Sequence, residues 1–502
     1  MAEPIPITND DAERRKHLTE VWARYDGDHP DSVTNEWTDR GVTVDDNVTV
    51  NDLATVVDTG VDFLVGSGQG ELEIAVMVPV AAAGQRADQD DDATLWLDRV
   101  WRFNKRRTFL RKLGTSGAVA GRFAMKIVPA TKPGGAVVDP EGMHRVVVLD
   151  PLALIVRHDP RDVDTVIAYA IDTIVTDDAG TAVGRQREQH TRRDDGTGWD
   201  IDYFVLERPM ELSPGTIVAW KRDPARSKTV LWPHPFAAIV DGQNLPAPHA
   251  PWGRSDLSDD ILHLQASINR IATNETRTLR LFAHPIPYGT VGEGGEPSVA
   301  AQGVQDASIG AMRWYPHGSS IDVIPVHHEG LEASASFRED LTDKLYEVAR
   351  TPRIAAGKVD DLGAISGVAI LILYRPLIAK TETKRDTYGD AIVELCQRLL
   401  VISGKAKTVV DLDVVLGWPD VLPKDRATEV ETAVSLRRDL NVSERTVYEG
   451  LGIPWEQEKE RRAEEDADPM EDEHGTLGAV EDISALLDVD GRGVPQEPGE
   501  AA

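Results

Sequence analysis

The chain has 502 residues, enough for about three domains of roughly 150 residues and for a sizeable buried core. Its single cysteine, Cys396, excludes an intrachain disulfide framework and a cysteine zinc cluster, and fits a reducing compartment. With 54 basic against 85 acidic residues the formal net charge is −31, which repels phosphate at long range and excludes a protein whose whole surface grips nucleic acid. Any DNA contact must be local. The same acidity would suit a high-salt host, so it selects no function by itself. The chain opens MAEPIPITNDDAERRKH, with no apolar core, and contains no run of roughly 18 uncharged apolar residues, so the sequence predicts neither a signal peptide nor a membrane span.

Asp10 to Tyr25 predicts a surface helix with a thin apolar stripe of Leu18, Val21 and Trp22. Leu53, Val56, Val57, Val61 and Leu64 recur at helical spacing over Asn51–Leu64, and Gly66, Gly68 and Gly70 then stop the pattern. Ala93 to Leu113 reads as one helix with Leu95, Trp96, Val100, Phe103, Leu110 and Leu113 inward. It is the most basic helix of the chain, carrying Arg102, Lys105, Arg106, Arg107, Arg111 and Lys112. Its plain reading is a solvated or acid-paired face; the other is a phosphate-contacting face. From Arg122 to about Val240 the period shortens, with β-branched and aromatic runs at Phe123–Val128, Val146–Leu149, Val166–Val175, Tyr203–Leu206 and Ile217–Trp220. Turn clusters at Pro133-Gly134-Gly135, Asp177-Asp178-Ala179-Gly180 and Asp194-Asp195-Gly196 separate them, so an antiparallel sheet is expected.

After an extended linker at Pro246, Pro248 and Pro251, Ser255 offers an N-cap and Asp256, Asp259 and Asp260 suit the positive end of a helix dipole. Leu257, Ile261, Leu264, Ile268 and Ile271 form an apolar seam, while His263, Arg270, Asn274 and Arg277 fall on another face. Carried to Ala283, this helix would measure on the order of 40 Å. His284 to Gly330 is rich in proline and glycine, with short strand candidates at Ala311–Tyr315 and Ile321–Val326. Ser336 and Glu339 then form a capping-box pattern for a second helix with Phe337, Leu341, Leu345 and Val348 as its stripe. Thr351-Pro352 breaks it, and a loop leads to Ser366-Gly367 and a third helix running to about Ser403. In that helix Val368, Leu371, Leu377, Tyr388, Ile392, Leu395 and Leu399 are expected inward, Lys380, Glu382, Lys384, Arg385 and Asp386 outward, and Pro376 at a kink. A strand-like segment at Val409–Leu416 precedes a mostly helical stretch over Lys424–Glu465 and an acidic tail whose last residues read as disordered.

Trp252-Gly253-Arg254-Ser255-Asp256 before a long helix, Pro285-Ile286 closing it, Arg350-Thr351-Pro352, Ser366-Gly367-Val368-Ala369 and the charged continuation through Lys380 and Lys384 follow one another in an order that resembles the portal proteins of long-tailed bacteriophages. GTSGAVAGRFAMK over Gly114–Lys126 and the late VSERTVYEGLGIPWEQEKERRAEE extend the resemblance over roughly Ala93 to Glu465. It implies an α+β fold with long helices, an antiparallel-sheet wing, a two-helix stem and a small α/β clip, assembled as a ring of usually twelve copies around a channel for double-stranded DNA. By that resemblance residues 1–255 are the wing, 256–283 the first stem helix, 284–335 the clip, 336–350 the second stem helix and 351–365 the tunnel loop. Residues 366–423 are then the long wing helix and return strand, 424–475 the crown and 476–502 an acidic tail. The implied partners are further copies of the chain, DNA in transit, the terminase large subunit, a head-tail adaptor, and the major capsid and scaffold proteins, at the portal vertex of a virion assembled in the host cytoplasm. No membrane, cofactor or catalytic role is implied.

A duplex that must slide cannot be clamped, and every neutralised phosphate adds salt-dependent affinity. Mostly acidic walls with a few cationic rings satisfy that constraint. Arg353 and Lys358 of the tunnel loop and Arg270, Arg277 and Lys344 of the stem are therefore the expected transient backbone contacts, with ion pairs between neighbouring subunits as the plainer role for each. Thr351, Pro352, Gly357, Asp360, Asp361 and Gly363 shape the same loop. Another structural head or connector protein is the first rival reading. A metal-dependent hydrolase using His327-His328-Glu329 with Asp322, or Asp411 and Asp413, is the second. Adjacent histidines in an extended segment point to opposite faces, which weighs against it. Gly66–Gly70 and Ser403-Gly404-Lys405 are fragments of phosphate-loop patterns without the full arrangement, so no nucleotide site is expected.

Overall fold

The computed structural model describes residues 3–29, 37–39, 42–44, 47–66, 72–78, 89–130, 143–177, 179–206, 220–248, 250–283, 287–290, 320–323, 328–353, 367–421, 433–438, 442–450, 455, 458–459 and 461–463. The chain divides into two units, residues 1–421 and 422–502. Helix α1 (Asn9–Tyr25) starts at a capping box in which Thr8 and Asp11 satisfy each other's backbone N–H. After the short antiparallel pair β1 (Trp37–Asp39) and β2 (Val42–Val44), α2 (Asp52–Val65) is capped by Asn51 and stops at Gly66, whose φ of +95° suits glycine. Strand β3 (Glu73–Met77) follows.

The basic stretch is two helices, α3 (Asp91–Phe103) and α4 (Arg106–Ala120), broken at Lys105 with φ +54°. The break has a packing cause. Trp101 and Phe109 would lie about 12 Å apart along a straight helix, yet their rings meet edge-on with centroids 5.6 Å apart. Leu97, Val100 and Trp101 turn inward, while Leu95 and Phe103, expected inward, are 60% and 36% exposed.

Beyond α4, β4 (Arg122–Val128) and β5 (Arg145–Val148) form an antiparallel sheet with β12 (Ile239–Gln243), ordered β12-β4-β5. Between them in sequence lies a larger antiparallel sheet of β6 (Leu154–Asp159), β7 (Asp162–Thr176), β8 (Ala182–Arg192), β9 (Trp199–Leu206), β10 (Lys221–Arg222) and β11 (Val230–Trp232). Its order is β10-β9-β8-β7-β6, with β11 also on β9. The expected turns at Gly180 and Gly196 are present with positive φ, and residues 217–219 of the last expected run lie outside the described residues. Strand β8 was not legible because its inward positions are polar: Arg187 is fully buried and pairs through Nε and an Nη with both oxygens of Asp172 on β7, at 2.6 and 2.9 Å.

Three helices occupy the middle of the chain: α5 (Asp259–Ala283), α6 (His328–Val348) and α7 (Gly367–Ile402). Strands β13 (Pro287–Thr290) and β14 (Ser320–Val323) pair antiparallel between the first two; of the expected strands, Ala311–Tyr315 lies outside the described residues. Ser255 does not cap α5, because its hydroxyl is taken by the carbonyls at the end of α4 and by the Leu257 N–H. Ser336 and Glu339 likewise sit inside α6. Nothing in HEGLEASA breaks a helix, so the alanines and leucine carry it back to His328, into the stretch expected as clip. Strand β15 (Asp413–Gly417) returns to pair with β3. The chain is α+β, with its main core where α2, α3, α4 and α7 meet and a second core around Tyr169, Trp199, Trp232 and Ile239 on the sheet side. In the second unit α8 (Glu444–Gly450) is described, with Arg462 over the Tyr448 ring and Arg437 paired to Glu444.

Candidate functional site

Helices α5 and α6 run antiparallel against each other. Near one end, Glu275 of α5 accepts from Ser334 and Arg338 of α6 at 3.0 and 2.8 Å. At the other, Asp256, just ahead of α5, and the Ala349 carbonyl, just past α6, converge on a single ammonium, Lys380 of α7. The α5 seam is buried as expected at Ile261 and Ile268, and His263, Arg270 and Asn274 of the polar face are exposed. A row the sequence reading missed, Gln265, Asn269 and Thr273, is completely buried, because the loop before α2 lies along it. The Val48 and Val50 N–H groups donate to Thr273 Oγ1 and Asn269 Oδ1, and Gln265 donates to the Val50 carbonyl. The spacing of four between these polar residues is the signal that was available.

Lys380 and Lys384, expected outward, are buried and hold Asp256 between them. Lys384 Nζ lies 2.5 Å from Oδ2 and Lys380 Nζ 3.4 Å from Oδ1, with side-chain exposures of 2% and 6% against 0% for the carboxylate. Asn244 donates to Oδ1 at 3.1 Å, and Tyr388, one turn beyond Lys384, donates to the Asn244 carbonyl oxygen Oδ1 at 3.1 Å. Burial opposes ionisation of Asp256, but the two ammoniums outweigh it and hold the carboxyl down to about 2. Burial pushes Lys384 down to about 8 against the pull of Asp256, and Lys380 works in the same direction. The register Leu377, Lys380, Lys384, Tyr388, Ala391, Leu395 is the apolar stripe itself, so periodicity places both lysines inward where charge alone argued outward. This cluster ties the loop before α5, the end of α6, α7 and the β12 end into one node.

The expected contact residues divide. Arg270 is exposed and Arg277 half-buried on α5. Lys344 is exposed on α6 and pairs with Glu347 of the same helix at 2.8 Å. Arg353 folds back on α6, where Asp343 and Glu339 lie 2.5 and 3.5 Å from its Nη1. Both of these pairings are within one chain. Thr351 is buried and Pro352 half-buried, following Arg350 at φ +56°. Gly357, Lys358, Asp360, Asp361 and Gly363 lie outside the described residues.

Among the described residues the rival chemistry finds no assembled site. Asp411 is engaged by the Lys407 and Thr408 N–H groups and the Thr408 hydroxyl. His327 and the side chains of Asp322 and His328 lie outside the described residues. Among the described residues no three His, Cys, Asp or Glu are grouped to hold a metal, and no helix is long and apolar enough to cross a membrane. Lys405 of the second phosphate-loop fragment pairs with Asp92. Cys396 is buried, accepts from the Trp101 indole N–H at 3.4 Å, and burial pushes its thiol up to about 12, which leaves it a packing residue.

Comparison with known proteins bears on the same part of the chain. Residues 308–473 match the family model described as phage portal protein, SPP1 Gp6-like, a span that takes in β14, α6, α7, β15 and α8. No curated protein matches the chain.

Proposed function

We propose, from the premise that this chain is a tailed-phage portal protein by the family of its residues 308–473, that copies of it form a ring at one capsid vertex through which double-stranded DNA is packaged and ejected. The observation that carries the reading is the family match falling on α6, α7 and their connection. Its support is the antiparallel pair α5 and α6, joined at one end to α7 through Asp256, Lys380 and Lys384. In this reading the pair is the stem, residues 284–327 between the helices the clip, 354–366 the tunnel loop, α7 the wing helix, and α8 part of the crown. The protein is structural, and a partner terminase supplies ATP hydrolysis. The remaining partners are the head-tail adaptor, the major capsid protein and scaffold.

Repetition about an axis turns each side chain into a ring of charge. Arg270 and Arg277 of α5, with Lys344 and Arg353, are the cations proposed to touch passing phosphates. Lys344 and Arg353 each pair with carboxylates of their own chain, which lowers their grip and suits a conduit over a clamp. Negative-stain imaging of the purified full chain tests the assembly: closed rings of about a dozen copies with a central hole are expected, and a lone globule under every assembly condition would overturn it. For the contacts, the Arg270→Glu, Arg277→Glu double variant is expected to form rings and to package or retain less DNA. Normal packaging and retention would remove these two residues from the channel.

A further inference from the structure

The basic region at α3 and α4 is not absorbed by the channel. Three of its cations are paired: Arg102 and Arg106 with Asp98 at 2.8 and 3.0 Å, and Arg111 with Asp62 at 2.6 Å. Lys105 and Lys112 behave differently. With Arg145 of β5 they line a cavity of about 590 Å³ together with Phe103, Met143 and Val147, and among the described residues no carboxylate lines it. All three cations are exposed. In a chain of net charge −31 a concave site lined by one sign of charge, the opposite one, is a local inversion that focuses the field on an incoming anion.

The site is built by one side chain. Asn104, at the α3–α4 break, donates to the Val100 and His144 carbonyls at 2.8 and 3.0 Å and accepts from the Val146 N–H at 2.8 Å. These bonds pin the helix corner to β5 and hold Lys105 beside Arg145. They also take up the His144 carbonyl and the Val146 N–H on the outer side of β5, the last described strand in its sheet. Phe103, 36% exposed, offers an aromatic surface in a cationic frame, the combination that anchors an apolar side chain flanked by acids.

We propose that this notch is a docking pocket for an acidic segment of another protein that inserts one apolar or aromatic side chain between Phe103, Met143 and Val147 while its carboxylates meet Lys105, Lys112 and Arg145. Charge complementarity selects an acidic partner, and the apolar floor selects a peptide over duplex DNA, whose phosphate ridges would leave that floor unused.

The probes are a labelled polyglutamate peptide with one central phenylalanine, the same peptide with alanine in its place, and a short DNA duplex, each followed by fluorescence anisotropy with the assembled full-length protein at low salt. The phenylalanine peptide is expected to bind more tightly than the alanine peptide. Lys112→Glu with Arg145→Glu is expected to weaken it by about tenfold or more with ring assembly and melting unchanged. Phe103→Ala, at an exposed position, is expected to erase the difference between the two peptides. Absence of peptide binding to the unmodified rings, or binding by the charge-reversed variant within about twofold of the parent, overturns the proposal. Duplex binding that falls in parallel reassigns the patch to phosphate, and an altered number of copies per ring in the charge-reversed variant reassigns it to contacts between copies. Neither result depends on the chain's role as a DNA conduit, which the imaging above tests separately.

Discussion

Asp256 is the residue on which most of the middle of the chain converges. One carboxylate faces two ammoniums in a site closed to water, so removing its charge leaves both lysines buried without a counter-ion. Asp256→Asn is expected to cost about 3–5 kcal/mol, read as a fall in chemical-denaturation midpoint, and Lys384→Met added to it should recover part of the loss. Recovery in the double variant separates charge imbalance from a simple packing defect. The pH dependence follows with opposite edges. Asp256 titrates lower folded than unfolded, so its contribution is complete above about pH 4 and fades as pH falls toward about 2. Lys384 is also depressed, to about 8, so between that pH and its ordinary range near 10.4 the unfolded chain binds more protons and stability rises with pH. Lys384→Met should abolish the alkaline rise and leave the acid edge in place; an unchanged alkaline profile would show that Lys384 does not titrate in this window.

At the scale of elements, helix approach is governed by small residues and single tethers. Gly117 of α4 faces the Tyr388 hydroxyl so closely that a Cβ would run into it, and Tyr388 is itself stacked on Phe123 with centroids 4.0 Å apart. Gly117→Ala is expected to displace Tyr388 from Asn244 and cost about 1–3 kcal/mol. Gly330 of α6 meets nothing within 4 Å, so Gly330→Ala should stabilise by about 0.5–1 kcal/mol through helix propensity. The contrast in sign, measured by thermal melting, tests whether α4 and α7 are in contact at that glycine. Glu275 is the tether between α5 and α6; Glu275→Ala is expected to speed amide exchange over 328–338 while leaving α7 unchanged, and uniform protection in the variant would mean that apolar packing alone holds the pair.

For the whole molecule, the dominant long-range term is charge. At −31 per copy, bringing copies together around an axis raises their mutual repulsion, and salt screens it over about a Debye length of 10 Å at 0.1 M. The fraction of protein in the proposed rings is therefore expected to grow with ionic strength, followed by mass photometry across a salt series; a fraction that falls with salt would mean that ion pairs, and not apolar contacts, dominate between copies. Surface apolar residues available for those contacts include Leu279, Phe337 and Val348 on α5 and α6 and Ile372 and Leu373 at the start of α7, all at least 37% exposed. Leu345 of the same α6 stripe is fully buried within the chain.

What the sequence determined by itself was wherever one short-range rule acted alone: the 3.6-residue stripe of α2, α5 and α7, the glycine turns at Gly180 and Gly196, and the order of motifs that resembles phage portal proteins. Tertiary structure decided the rest because burial of charge is a property of partners distant in the chain. Lys380 and Lys384 look like surface residues until Asp256, more than a hundred positions earlier, supplies the opposite charge, and β8 reads as a polar segment until Asp172 meets Arg187. The break between α3 and α4 has the same origin: local sequence permits more than one helix boundary, and packing of Trp101 against Phe109 selects one. The pocket of Lys105, Lys112 and Arg145 joins a helix corner to a strand edge, a juxtaposition that exists only once Asn104 has pinned the two together.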